Sequence, residues 1–548
     1  MKKIWLAPLM MASIALTPGC WSNKLEDGLN NASSFLSVKP AENGYAVIYD
    51  GNGATGGSVP VDSAAYLNGD AVTVLDNTGS LELTGYDFAG WSEDPGGAGA
   101  LLAPGSTFIM VAADVTLFAI WTPAQHTVIY DANGATGGAV PVDNTLYVSG
   151  DTVTVLDNTG SLSWYGADFL GWNTRADGTG TDYSPGSAFS MGGADVTLYA
   201  DWYRYFAGGD GTAADPFQVA NPEHLNNVRY FLDAYFIQTA NIDLNVSAFN
   251  TGTGWEPIGN SSTPFLGNYN GNGLEIINLY INRSTEDNIG LFGYADGAVL
   301  KNITLYNADV AGNQNVGSLV GFNSNWSQFT PAAVGNPLIG NCSVSGAVVT
   351  GVADVGGLVG YTEGSASSAY LSVIEDCFAV GIISGSGSNV GGLVGSNVYN
   401  ATVSTSYAAV TVVGGTMHAG GLTGYSCYTA KIFNSYAVGA VAGSSRVGGL
   451  TGFAESSTAN YCYAACAVSG TSDLGGLIGV GGASTVSSYY DASISGQSDT
   501  GKGTPLPTTG MLQQASFTGW NFTTIWDISK GASYPFLQWQ GGVNIPVP

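Results

Sequence analysis

Positive charge is what this 548-residue sequence most lacks: 13 Lys and Arg stand against 41 Asp and Glu, giving a net charge of −28. Charged residues of either sign make up only 10%, against about 25% in an ordinary globular chain. Residues 41–174 hold no Lys or Arg, and neither does the span between Lys301 and Lys431. Nucleic acid is excluded as a partner, because phosphate binding needs clustered cations. Histidine is nearly absent, with only His126, His224 and His418. No His-Glu-x-x-His zinc-protease signature exists, and no Cys-x-x-Cys joins the six cysteines. Past residue 16 no apolar run is long enough to span a bilayer. The 80 glycines show no three-residue period, which excludes collagen. A 45% hydrophobic content with 12 Trp, 29 Tyr and 21 Phe argues against disorder.

The amino terminus reads as an export signal. Lys2 and Lys3 precede an apolar stretch from Ile4 to Leu16, too short for a membrane span. The stretch ends in Leu16-Thr17-Pro18-Gly19-Cys20, which resembles a bacterial lipoprotein signal. That resemblance implies a signal peptide over 1–19 and a lipidated Cys20. The membrane would then be met only through this anchor. Residues 20–44 have no periodicity and read as a linker.

The sequence then repeats itself with an offset of 81 and no gap: 45–121 and 126–202 share 46 of 77 positions. Val47-Ile48-Tyr49-Asp50 returns as Val128-Ile129-Tyr130-Asp131, and Phe88-Ala89-Gly90-Trp91 as Phe169-Leu170-Gly171-Trp172. Alternating strands bounded by Gly, Asn and Asp clusters predict short strands and tight turns. The recurring Trp91/Trp172 and Trp121/Trp202 are expected in each module's own core rather than as sugar platforms. The Asp and Asn of the turns suit turn chemistry, with Ca²⁺ the weaker alternative. The two units resemble Listeria–Bacteroides, internalin-type B repeats, which implies β-grasp-like modules over 45–123 and 124–203.

A different repeat fills the carboxy-terminal half. Asn221-Pro222-Glu223-His224-Leu225 is a helix start, with Leu225, Val228, Phe231 and Leu232 on one face, and predicts a short cap over the end of the carboxy-terminal array. In that array a glycine-framed motif recurs seven times. Its glycines are Gly290 and Gly293; Gly317 and Gly321; Gly356, Gly357 and Gly360; Gly391, Gly392 and Gly395; Gly420, Gly421 and Gly424; Gly448, Gly449 and Gly452; Gly475, Gly476 and Gly479. The central leucines, Leu291 to Leu477, are spaced by 28, 39, 35, 29, 28 and 27 residues. A period near 28 signals stacked coils, each too short to bury its own apolar face. Gly-Gly pairs and β-branched residues exclude a helical solenoid, so the fold class expected is all-β with a parallel β-helix. The glycines are assigned to tight corners and close backbone approach. These motifs resemble the GLUG motif of bacterial surface proteins and some IgA-specific metallopeptidases. The limits expected are 204–280 for the lead-in and cap, 281–495 for the β-helix and 496–548 for a C-terminal cap.

Chemistry is sparse. Glu286-Asp287 and Glu375-Asp376 are sequence neighbours that would face opposite ways in a strand, so neither pair makes a hydrolase site. Cys342, Cys377 and Cys462 share one motif position with Ser406 and Ser435, which predicts small buried thiols rather than bridges. No catalytic residue, cofactor or metal ligand is expected. The reading is an exported, lipid-anchored surface protein at the cell surface or outer membrane, acting as a non-catalytic adhesin or ligand-binding scaffold. Its partner would be a host or environmental surface protein or glycan, met by exposed Tyr and Asn on the rod's lateral face. A glycan-degrading β-helix or a purely structural envelope component are the alternatives.

Overall fold

The computed structural model describes residues 44–325, 338–365 and 371–541. The expected signal peptide, the expected lipidation site Cys20 and the expected linker up to residue 43 lie outside the described residues. The chain forms two compact units: one holds both modules through Trp202, and the other holds residues 203 onward together with 165–168.

In the first module Val115–Pro123 is the central strand. Val47–Asp50 pairs with it in parallel and Tyr86–Ser92 antiparallel, with a register shift between Phe88 and Gly90. The second module repeats the parallel pairing between Val196–Arg204 and Val128–Asp131. Each core is built on one aromatic pair: Tyr49 on Trp91 and Tyr130 on Trp172, both edge-to-face with centroids 4.6 Å apart. Each indole donates to a carbonyl, Trp91 to Leu75 at 3.0 Å and Trp172 to Leu156 at 2.9 Å. Both tryptophans are fully buried, so their polar edge has to be satisfied inside the core. The turn groups are also used locally. The Asp50 carboxylate accepts the Asn52 amide at 2.7 Å, and the Asn52 side chain donates to the Pro95 and Ala119 carbonyls.

The second unit is a parallel β-helix. One coil runs from Leu338–Gly340 through Ser343–Gly351, Ala353–Gly356 and Val359–Glu363 before Val373–Glu375 starts the next. Each segment pairs in parallel with its equivalent one coil away, building four sheets of nine, twelve, seven and six strands among the described residues. The motif leucines Leu291, Leu319, Leu358, Leu393, Leu422, Leu450 and Leu477 are all fully buried on the axis. Stacking starts upstream of residue 281: Phe217–Val219 is already an edge rung, paired with Tyr235–Gln238.

The motif glycines do not make the corners. None of them lies at positive φ; the left-handed corner is taken instead by the residue before each motif's first apolar position. These are Asn288, Asn315, Asp354, Asn389, His418, Arg446 and Asp473, with φ between 54° and 63°. The glycines permit close approach, and within a motif each meets a different neighbour. A Cβ on Gly391 would lie 1.9 Å from the Val394 carbonyl oxygen, one on Gly392 1.9 Å from that of Gly421, and one on Gly395 2.4 Å from the carbonyl carbon of Asp354. Own coil, next coil and previous corner all press on a motif with three glycines; the first two motifs carry two, and in the second Ser318 takes the middle place.

Both ends are closed. Helix α1, Pro222–Asn227, starts at Asn221, whose side chain accepts the His224 amide at 2.8 Å, and continues as a 3₁₀ turn, Val228–Tyr230. Leu225 and Val228 are buried in one cluster with Phe217 and Phe236. At the other end Asp499 accepts the Gly476 amide at 3.0 Å and the Lys502 ammonium donates to the Gly479 carbonyl. These two bonds satisfy backbone groups that a further coil would take. The chain then folds back along the side of the helix rather than over its end. Trp520, Trp526 and Tyr534 bury Tyr436, Tyr463 and Tyr489, and the Trp539 indole donates to the Thr405 carbonyl at 2.9 Å.

Candidate functional site

Columns of equivalent side chains are the features of the β-helix that carry chemistry, because in-register stacking sets each residue over its counterpart. The corner column holds a polar relay across four successive coils. Arg446 Nη1 lies 2.8 Å from His418 Nε2, and His418 Nδ1 lies 2.6 Å from Asn389 Oδ1. Asn389 Nδ2 then donates to Asp354 Oδ1 at 2.8 Å, and the Ser396 hydroxyl donates to the same oxygen. A guanidinium only donates, so Nε2 must accept and the imidazole proton sits on Nδ1. Donors therefore run one way, from a cation to a carboxylate. Burial, and secondly the Arg446 charge, push the His418 pKa down to about 4. Burial pushes the Asp354 pKa up, against the hydrogen bonds from Ser396 and Asn389.

A second column lies inside the helix: Cys342, Cys377, Ser406, Ser435, Cys462 and Ser488. Each hydroxyl or thiol donates to the carbonyl two residues back, as Ser406 does to Ser404 at 2.7 Å and Cys462 to Asn460 at 3.1 Å. Several also accept an amide from the coil before, as Ser406 accepts from Cys377 at 3.1 Å and Ser435 from Ser406 at 3.2 Å. Sulfur and oxygen serve one role here, and all five described cysteines are free and buried.

The outward columns of the longest sheet are different in kind. Val348, Ile382, Thr411, Ala440 and Ala467 form one register line, and Thr350, Ser384, Val413, Ala442 and Ser469 form another. Ile382 is 52% exposed and Val413 47%. From Val348 to Ser469 neither line holds a charge, but one coil earlier the first line continues to Asp309, an exposed carboxylate paired with Val348. Exposed tyrosines lie off these two lines, Tyr306 at 55% and Tyr428 at 51%, the latter stacked on Tyr399. The stacked ladder Phe378–Tyr407–Tyr436–Tyr463, with neighbouring rings 4.8 to 5.0 Å apart, is covered by the folded-back C-terminal segment. Corner asparagines bond along their columns, as Asn315 does to Asn288 at 2.8 Å.

The sequence reading missed the relay, although the signal is there. Aligning the seven motifs on their leucines puts Asn or Asp in five of the seven corner positions and His418 and Arg446 in the other two. Among the described residues no group of three His, Cys, Asp or Glu is placed to hold a metal.

Fold and columns together define a repeat protein of mainly β structure: two copies of a mixed-sheet module and a parallel β-helix. Residues 45–120 and 126–201 each match the family model described as the Listeria-Bacteroides repeat domain. A provisionally named Gly-rich membrane protein of Evansella cellulosilytica is 36% identical over 162 residues, which is 29% of this chain and 18% of that protein. Halomucin of Haloquadratum walsbyi is 36% identical over 165 residues, 28% of this chain and 2% of that protein. The chain thus spans less than a fifth of the length of either relative. Among solved structures, one provisionally described as an immunoglobulin A1 protease from Bacteroides ovatus is similar with 21% identity and a TM-score of 0.42, covering 61% of this chain and 96% of that one.

Proposed function

We propose that the chain is an exported surface protein, lipid-anchored through Cys20, whose GLUG-type β-helix is a non-catalytic adhesin or ligand-binding scaffold. The observation that carries this reading is the pair of outward columns, uncharged over the coils from Val348 and Thr350 to Ala467 and Ser469. Over those coils they present a partly exposed face of methyl and hydroxyl groups, with Asp309 at one end. Such a face buries well against a neutral surface and costs little desolvation. The names of the Evansella relatives, both given as membrane proteins, support a place at the envelope. The modules would hold the β-helix away from the membrane.

The test is retention of the full-length protein on cells, matrix or glycan surfaces, with the medium assayed for cleaved product. Retention should change little between 0.05 and 0.5 M salt, because the face is neutral. It should be lost in an Ile382→Glu, Val413→Glu double variant. Release of shortened polysaccharide would defeat the non-catalytic reading. Unchanged membrane partitioning of Cys20→Ala would defeat the anchor.

A further inference from the structure

The C-terminal segment contains a cavity of about 470 Å³ with an open mouth, and it is separate from the sheet face just described. Its lining includes Gln513, Gln514, Phe517, Trp520, Phe522 and Lys530. The aromatic wall is fixed: Phe517 and Trp520 have centroids 4.7 Å apart, and Phe522 lies nearly parallel to Trp520 at 6.3 Å. The Trp520 indole is pinned by its bond to the Ser487 carbonyl at 2.7 Å, so it cannot turn away. The polar lining groups are uncommitted. Among the described residues the Gln513 and Gln514 amides make no side-chain hydrogen bond. Lys530 makes no ion pair there either, unlike Arg229, Arg283 and Lys502. Lys301, Lys431 and Arg446 likewise make no ion pair among the described residues, but they sit within the coil array and Lys530 lines the cavity.

We propose that this cavity binds a single pyranose carrying a carboxylate, an acidic sugar unit. Phe522, half-buried and backed by the buried Phe517 and Trp520, offers a ring for the C–H face of a pyranose. Each Gln amide offers a donor and an acceptor, the pair that a sugar hydroxyl needs. Lys530 supplies one positive charge, which matches one carboxylate and falls short of a phosphate or a sulfated chain. The protein's net negative charge does not cancel this pairing. At physiological ionic strength fields are screened over about 8 Å, so the nearby ammonium outweighs remote acids. The same net charge disfavours long polyanions, which limits recognition to one acidic unit. This deepens the ligand-binding reading by naming a ligand class at a second site.

Ligand-detected NMR titration of the full-length protein with glucuronic acid, N-acetylneuraminic acid and neutral glucose tests it. At least one acidic sugar is expected to bind about tenfold more tightly than glucose, the scale of one charge-assisted hydrogen bond. Lys530→Ala should reduce that sugar to the glucose level. Phe522→Ala should weaken acidic and neutral sugars alike. Lys530 is exposed, so its variant should keep the native melting temperature. Equal binding of acidic and neutral sugars, an unchanged ratio in Lys530→Ala, or no binding at all would overturn the proposal. The sheet-face variant separates the two readings. If it abolishes surface retention while Lys530→Ala leaves sugar binding untouched, the pocket falls and the adhesin stands. Sugar binding that needs Lys530 without any surface retention reverses that outcome.

Discussion

Acidification should loosen the β-helix through His418. Its pKa is about 4 in the folded chain against an ordinary 6.5. A depressed pKa means the unfolded chain binds the proton more readily. His418 therefore contributes stability above pH 6.5 that is lost as pH falls through about 4. The gap of about 2.5 units corresponds to about 3 kcal/mol over that window. Asp354 works in the opposite direction: its raised pKa adds stability at low pH that is lost as pH rises through the folded value. Wild-type protein alone would thus show only the difference between the two. His418→Asn isolates the histidine. Asn tolerates left-handed φ and already fills this corner at Asn288, Asn315 and Asn389. Its carbonyl can accept from Arg446 and its amide can donate to Asn389, so the relay survives without a titrating ring. Urea melts from pH 7 to pH 4 should show wild type losing about 3 kcal/mol more than the variant. NMR titration of the imidazoles reads the pKa directly, since the chain has only three histidines. A His418 that titrates near 6.5, or parallel pH dependence in both proteins, would refute the relay as drawn.

Two further outcomes test the packing argument. Gly391→Ala places a methyl 1.9 Å from the Val394 carbonyl oxygen and should cost several kcal/mol or prevent folding. Gly53→Ala, at φ +88° with nothing within 4 Å, should cost only about 1 kcal/mol for its left-handed backbone; equal losses of melting temperature would show that packing is not the cause. The inner cysteines should resist maleimide in native buffer and react in urea, because burial raises the thiol pKa, to about 12 for Cys462 and Cys466. Cys377→Ser should be nearly neutral, since Ser406 makes the same bonds one coil on; a loss above about 2 kcal/mol would mean that sulfur packing matters more than hydrogen bonding.

What could be read from the sequence was whatever recurs. The 81-residue offset, the seven leucines and the Asn221 cap all appear in the fold because each is set by neighbours at a fixed distance along the chain. The Cys/Ser equivalence was legible for the same reason: one column needs one small donor. The cap's return along the aromatic ladder was not legible. Trp539 meets Thr405 across 134 residues, and no period links them. The corner column was misassigned to glycine because both glycine and αL asparagine satisfy a tight turn. Only the spacing to the next coil's carbonyls shows that glycine serves closeness and asparagine serves the turn.

The same stacking accounts for the scarcity of charge. Equivalent side chains on neighbouring rungs sit about 4.8 Å apart. Two like charges at that distance repel by about 1 kcal/mol even in water, and by more when partly buried. A charged position repeated down a column would add that cost at every coil. The described register pairs obey this limit: none sets like charges face to face. Lys301 lies between Asn270 and Gly340, Glu375 between Gly340 and Ser404, and Lys431 between Thr402 and Thr458. In the corner column Arg446 and Asp354 are separated by His418 and Asn389, which pass hydrogen bonds without repeating a charge. Lys301, Lys431 and Arg446 each stand singly in their columns, whereas Lys502 lies at the sealed end and Lys530 at the cavity in the fold-back. On the proposed reading a ligand that needs a positive charge would be met at Lys530 in the fold-back, and one that needs a neutral face along the columns from Val348 to Ser469.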